Sequence, residues 1–204
     1  MTSLSRRAFA GAAAASLLAG CAGHGTARSG TARPGGSSSP PPSPIPSPAR
    51  ALARSAPVRL RIPAIGVDTP VMGLGLASDG SVQVPPVTAH DRAGWYRYSP
   101  APGQTGPSVI LGHVTVGAYG DGVFRHLARL HRGDRIVTRL ENGTAVGFAV
   151  RSVRTVAKAD FPADDVYGNV DRPELRLITC GGARTGDGYL DNVIVFAALS
   201  SPRP

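Results

Sequence analysis

The stretch Leu175–Leu199, LRLITCGGARTGDGYLDNVIVFAAL, sets one cysteine between two strand-like apolar runs. In the first run Leu175, Leu177 and Thr179 alternate with Arg176, Ile178 and Cys180, the period of a half-buried strand. The pair Gly181-Gly182 is expected to end that run as a turn. In the second run Val193–Phe196 is continuously apolar and too short for a helix, which predicts a strand buried on both faces. Cys180 therefore falls at the C-terminal end of a strand beside a loop, a position from which a nucleophile can be presented.

Outward from this stretch the chain repeats one style. Val58, Leu60 and Ile62 alternate with arginines, Pro63-Ala64 makes a turn, and Ile65–Val71 follows as a second short run. Ser81–Val84, Ser108–Leu111, Arg135–Leu140 and Val146–Val156 read as further strands, separated by Gly and Pro. Short apolar runs with such punctuation predict an all-β barrel with few helices. The exception is Asp121–Leu130, where Asp121 can cap a helix, Val123, Phe124, Leu127 and Leu130 share a face, and Gly133 can end it. Trp95 reads as a core plug and His90, in a polar loop, as a solvated side chain. Asp160, Asp164 and Asp165 read as solvated turn residues, since too few other oxygen ligands surround them for calcium. His126 and His131 are five apart and do not share a helix face, so neither a metal nor any cofactor is expected.

The first 56 residues are of a different kind. Ser5-Arg6-Arg7 starts what reads as a twin-arginine export signal, and Ala8–Ala19 is a small apolar run too short for an ordinary membrane span. Leu18-Ala19-Gly20-Cys21 then resembles a bacterial lipobox, predicting a signal over 1–21 and acylation of Cys21. Residues 22–56 are rich in Gly, Ser and Pro, with SSSPPPSPIPSP at 37–48, and cannot build a core. As polyproline II this linker reaches on the order of 100 Å, and as a flexible coil roughly 30 Å. Residues 57–200 are left as one folded domain. The net charge of +9 is mostly a property of the leader and linker: the six arginines before Pro57 leave 16 basic against 13 acidic side chains, a net of +3, for the rest. Nucleic-acid binding thereby loses its main support.

Two cysteines are present. If Cys21 carries lipid, Cys180 is an unpaired thiol outside the cell, where structural cysteines are normally paired, and an exported lone thiol points to reactivity. A thiol is a strong nucleophile once deprotonated, and a neighbouring imidazole can share its proton. His113 follows the apolar strand Ser108–Leu111 through Gly112. An isolated histidine in such a place is more often a hydrogen-bonded core residue; here it is the one histidine placed to serve the thiol.

Three groups of residues carry a family resemblance. The segment Leu177–Cys180 with its loop and the strand DNVIVFA, the run VILGH at 109–113, and RLRIPAIGVDTPVMGLGL at 59–76 together resemble the sortases, cysteine transpeptidases of Gram-positive cell surfaces. Gly94-Trp95-Tyr96 followed by Pro102-Gly103 is similar to the actinobacterial class F or E types. The resemblance implies a closed or nearly closed β-barrel of about eight strands with one or two short helices. It also implies that Cys180 attacks a sorting-signal peptide to form a thioester, that His113 protonates the departing amine, and that a peptidoglycan precursor amine resolves the intermediate. Where relatives continue GHV with an acid, this chain has Thr115. An arginine is implied as oxyanion donor, but the place before the last strand where relatives carry it reads Tyr189-Leu190-Asp191-Asn192. Arg184 is the expected substitute, because a Gly-bounded loop can fold it back over the strand end. Arg176 is the alternative, about 13 Å upstream along the strand.

The sequence leaves two other functions open. The same Cys and His serve a secreted thiol peptidase with water as acceptor, and a non-catalytic surface-binding lipoprotein would share the anchor and the linker. In every case the expected location is the outer face of the membrane, held by lipid and reaching into the cell wall.

Overall fold

The computed structural model describes residues 54–186 and 188–200. The predicted leader, Cys21 and nearly all of the predicted linker lie outside the described residues. Eight strands form a closed barrel: β1 (Pro57–Ile62), β2 (Val67–Leu74), β3 (Ala93–Tyr96), β4 (Gly106–Leu111), β5 (Arg135–Leu140), β6 (Ala145–Ala157), β7 (Pro173–Thr185) and β8 (Gly188–Leu199). Around the barrel the order is β1-β2-β3-β4-β7-β8-β6-β5. Two neighbouring pairs are parallel, β2 with β3 and β4 with β7, and the rest are antiparallel. The all-β closed barrel expected from the sequence is therefore the observed architecture.

Strand alternation divides the side chains into two layers. Leu175, Leu177, Val193, Val195 and Ala197 point into the barrel with Leu60, Ile62, Ile110, Phe124 and Phe148, and Trp95 joins them as a core plug. Ile178 and Ile194 point outward with Val109, onto Val166 of the short helix α1 (Ala163–Tyr167). The sheet around β4, β7 and β8 is thus apolar on both faces, which accounts for the continuous apolar run Val193–Phe196.

Four local expectations differ. Asp121–Leu130 is a chain of turns with a 3-10 helix at Leu127–Arg129, not an α-helix. Phe124, Leu127 and Leu130 are buried at a spacing of three, the repeat of a 3-10 turn. Asp121 bridges to Thr115 and ion-pairs with Arg125 at 3.1 Å in place of capping. The α-helix among the described residues is α1, in the acidic segment expected to be a loop, where Arg154 holds Asp165 at 2.7 Å. Ser81–Val84 contributes only the isolated bridge Leu76↔Val82.

Gly181-Gly182 does not end β7, which runs on to Thr185. Gly182, at φ 72°, instead absorbs a register shift between Gly181 and Arg184. The hairpin closes later, with Thr185 opposite Gly188.

Candidate active site

The parallel register of β4 and β7 places the two sequence-predicted catalytic side chains. Val109 pairs with Arg176 and Leu111 with Ile178, and the ladder continues as the Gly112 N–H donates to the Ile178 carbonyl at 3.1 Å. Continued two residues beyond the last pair, this register brings His113 level with Cys180. Residues 109 and 111 share the outer face of the sheet with 178, so 180 continues that face within β7 and 113 follows just past the end of β4, on strands about 4.8 Å apart. Cys180 is a free, half-buried thiol.

The backbone at His113 is held by the segment that was expected to be a helix. The Phe124 N–H donates to the His113 carbonyl at 2.9 Å, and Gly122 N–H donates to Val114 at 2.9 Å. Gly112 has no room for a side chain: a Cβ there would come within 2.6 Å of Phe124 and 2.9 Å of Val123. The imidazole is oriented by the long β2–β3 connection, since His113 Nε2 lies 2.7 Å from the Pro85 carbonyl. A carbonyl only accepts, so Nε2 bears the proton in this contact and Nδ1 remains for chemistry. No sequence signal marked Pro85, because its contribution is a backbone oxygen. Thr115, in the position of the missing acid, accepts a hydrogen bond from the Tyr189 hydroxyl at 3.3 Å and so ties β8 to this loop.

The arginines fall elsewhere. Arg184 lies within β7 opposite Tyr189, exposed, with its guanidinium 5.9 Å from the Tyr189 ring centre. The free loop expected to fold it over Cys180 is strand, and four residues separate the two positions, about 13 Å of extended chain. Arg176 is 3% exposed, paired with Glu174 at 2.6 Å, donating to the Asp165 carbonyl at 3.3 Å, and packed 4.6 Å over Phe196. It fastens α1 to the sheet, and the structure does not bring it to Cys180. His90 is not solvated as expected but stacks on Tyr119 with ring centres 4.3 Å apart.

The residue directly opposite Cys180 is Asn192, which sequence reasoning left unassigned; on its other side Asn192 pairs with Val156 of β6. A row thus crosses three strands on the outer face, Val156, Asn192 and Cys180, and the continued β4 register extends it to His113. The signal for it was the short connection after Thr185, which fixes the hairpin register once Gly181-Gly182 is read as a bulge. Below this row Ile178 and Ile194 are buried with Val109 and Val166 in the outer apolar cluster, against which Tyr96, Leu111 and Phe161 pack. Beside Cys180, toward the barrel end, opens a cleft of about 200 Å³ lined by Thr179, Gly181, Gly182, Tyr189, Phe124 and Arg125.

A closed barrel of eight strands in this order has counterparts among known proteins. Sortase C-1 from Actinomyces oris superposes with a TM-score of 0.55 at 20% identity, covering 70% of this chain and 73% of that one. A sortase D5 transpeptidase from Clostridium perfringens gives 0.52 at 22% identity, covering 72% and 79%. A lid mutant of sortase A from Corynebacterium diphtheriae gives 0.57 at 18%, covering 76% of each. No match is found among curated proteins. At these identities the superpositions speak for the fold. The family profile described as the sortase domain matches residues 60–200, which contain all eight strands except the first three residues of β1, together with His113 and Cys180. The chain belongs to the sortase family.

Proposed function

We infer that the protein is a cell-surface cysteine transpeptidase of the class F or E type. It cleaves a C-terminal sorting signal through a thioester on Cys180 and passes the protein to an amine of the cell wall. The observation that supports the reading is the β4–β7 register, which, continued past Leu111, brings His113 level with Cys180. In acylation His113 takes the thiol proton as the Cys180 sulfur bonds to the substrate carbonyl carbon, and collapse of the tetrahedral intermediate breaks the C–N bond as His113 passes that proton to the leaving amine. In the second half an amine attacks the thioester, His113 takes its proton, and the thiol leaves. The motif at residues 94–96 with Pro102-Gly103 supports the class, and the leader ending at Cys21 supports lipid anchoring on the outer membrane face.

The competing acceptor is water, which would make the protein a thiol peptidase. Product partition decides between them: the protein is incubated with a threonine-containing sorting-signal peptide library and a peptidoglycan stem-peptide amine, and the products are weighed. Amine-linked product should exceed free acid. Free acid alone at saturating amine contradicts the transpeptidase reading.

A further inference from the structure

The tetrahedral intermediate over Cys180 carries a negative oxygen that needs a donor, and removing one such donor typically costs about 10²–10³ in turnover. The described structure brings neither candidate arginine to the thiol. Arg176 is bound to Glu174 beneath α1, and Arg184 is displaced along β7 beyond the bulge. Asn192, in contrast, is the cross-strand partner of Cys180. Side chains of directly opposed residues in an antiparallel pair share a face, with Cβ atoms about 4.5–5.5 Å apart. Its other lateral neighbour is Val156 and the next residue on its face is Ile194, both apolar, so the sheet offers its amide no partner. Among the described residues the Asn192 side chain makes no hydrogen bond, although it is half-buried. A half-buried amide with two N–H donors therefore stands unengaged beside the nucleophile, on the side away from His113.

We propose that Asn192 is a catalytic residue that donates an Nδ2–H to the oxyanion formed at Cys180. This rests on the transpeptidase reading for the identity of the nucleophile. As the sulfur bonds to the carbonyl carbon, the carbonyl π pair moves to oxygen and is met by the amide on the β8 side, while His113 on the β4 side manages the proton. Collapse restores the carbonyl, releases the amide contact and expels the amine. An amide carries no net charge, so it stabilises the oxyanion by the direction and proximity of its N–H dipole.

Two reactions of the same thiol separate this role from a structural one. Acylation of the full chain by p-nitrophenyl acetate passes through an oxyanion, whereas alkylation by iodoacetamide does not develop one at the attacked carbon. Asn192→Ala and the isosteric Asn192→Asp should each slow release of p-nitrophenolate at least tenfold while alkylation of Cys180 by iodoacetamide stays within twofold of the parent. Arg184→Ala should leave both rates within twofold. Acylation within twofold of the parent in both Asn192 variants overturns the proposal, as does a parallel fall in both reactions. Cys180→Ala separates the two levels of argument: a full p-nitrophenolate burst in that variant overturns the transpeptidase reading itself, whereas its loss with unimpaired Asn192 variants removes only the donor assignment.

Discussion

Arg176 shows how a residue's neighbours decide its role more firmly than its distance along the chain. It shares the outer face with Cys180, yet its guanidinium is held by the Glu174 carboxylate, the Asp165 carbonyl and the Phe196 ring, with one terminal nitrogen buried and unpartnered. Removing one member of a buried ion pair leaves the other charge uncompensated, a cost of about 3–5 kcal/mol. Glu174 keeps Arg172 at 2.7 Å, which places Arg176→Ala near the lower end. At about 2–4 °C per kcal/mol for a domain of this size, calorimetry should find the midpoint lowered by roughly 6–12 °C. Turnover per folded molecule should stay within threefold. A stable Arg176→Ala protein with a hundredfold loss of turnover would instead make Arg176 the oxyanion donor.

The β7–β8 hairpin is the element in which sequence and structure diverge most usefully. The alternation in Leu175–Cys180 and the limits of β5 were legible because each residue's face is written in its polarity. The extension of β7 to Thr185 was not, since two adjacent glycines serve a turn and a bulge equally well. At Asp121–Leu130 a buried spacing of three over one short stretch is compatible with both 3.6-residue and 3-residue turns; the contacts of that segment with His113 and Val114 settle it. The level placement of His113 and Cys180 needed the β4–β7 register, a parallel pairing across more than sixty intervening residues that no local pattern encodes. The bulge itself makes a prediction. Gly182 has φ 72°, and a Cβ there would collide with the Asp191 carboxylate. Strain plus overpacking amounts to about 1–3 kcal/mol, so Gly182→Ala should lower stability by that order and shift the Cys180–Asn192 pair. Chemical denaturation measures the first and the iodoacetamide rate of Cys180 the second; a variant unchanged in both would show that the bulge does not set the hairpin register.

For the whole molecule, the proposed function gives the barrel the chemistry and the 56 residues before it the place where that chemistry occurs. The lipobox-like Leu18-Ala19-Gly20-Cys21 stands ahead of a Pro-rich segment long enough to hold a folded domain tens of ångströms from a membrane. Two acyl chains hold a soluble domain stably where one does not. Mass spectrometry of the mature N-terminus should therefore find a diacylated Cys21, and Cys21→Ser should release the protein or leave its precursor uncleaved; an unmodified terminus elsewhere contradicts the anchor. The central claim, that Cys180 is the nucleophile that carries an acyl chain, is tested most directly by the mass of the Cys180 peptide after the protein meets its sorting-signal substrate without an amine acceptor. The account predicts an added acyl mass on Cys180 that hydroxylamine discharges, that is lost on addition of the amine, and that is absent in Cys180→Ala. Turnover of the same substrate with no acyl adduct at Cys180, or with undiminished rate in Cys180→Ala, would contradict it.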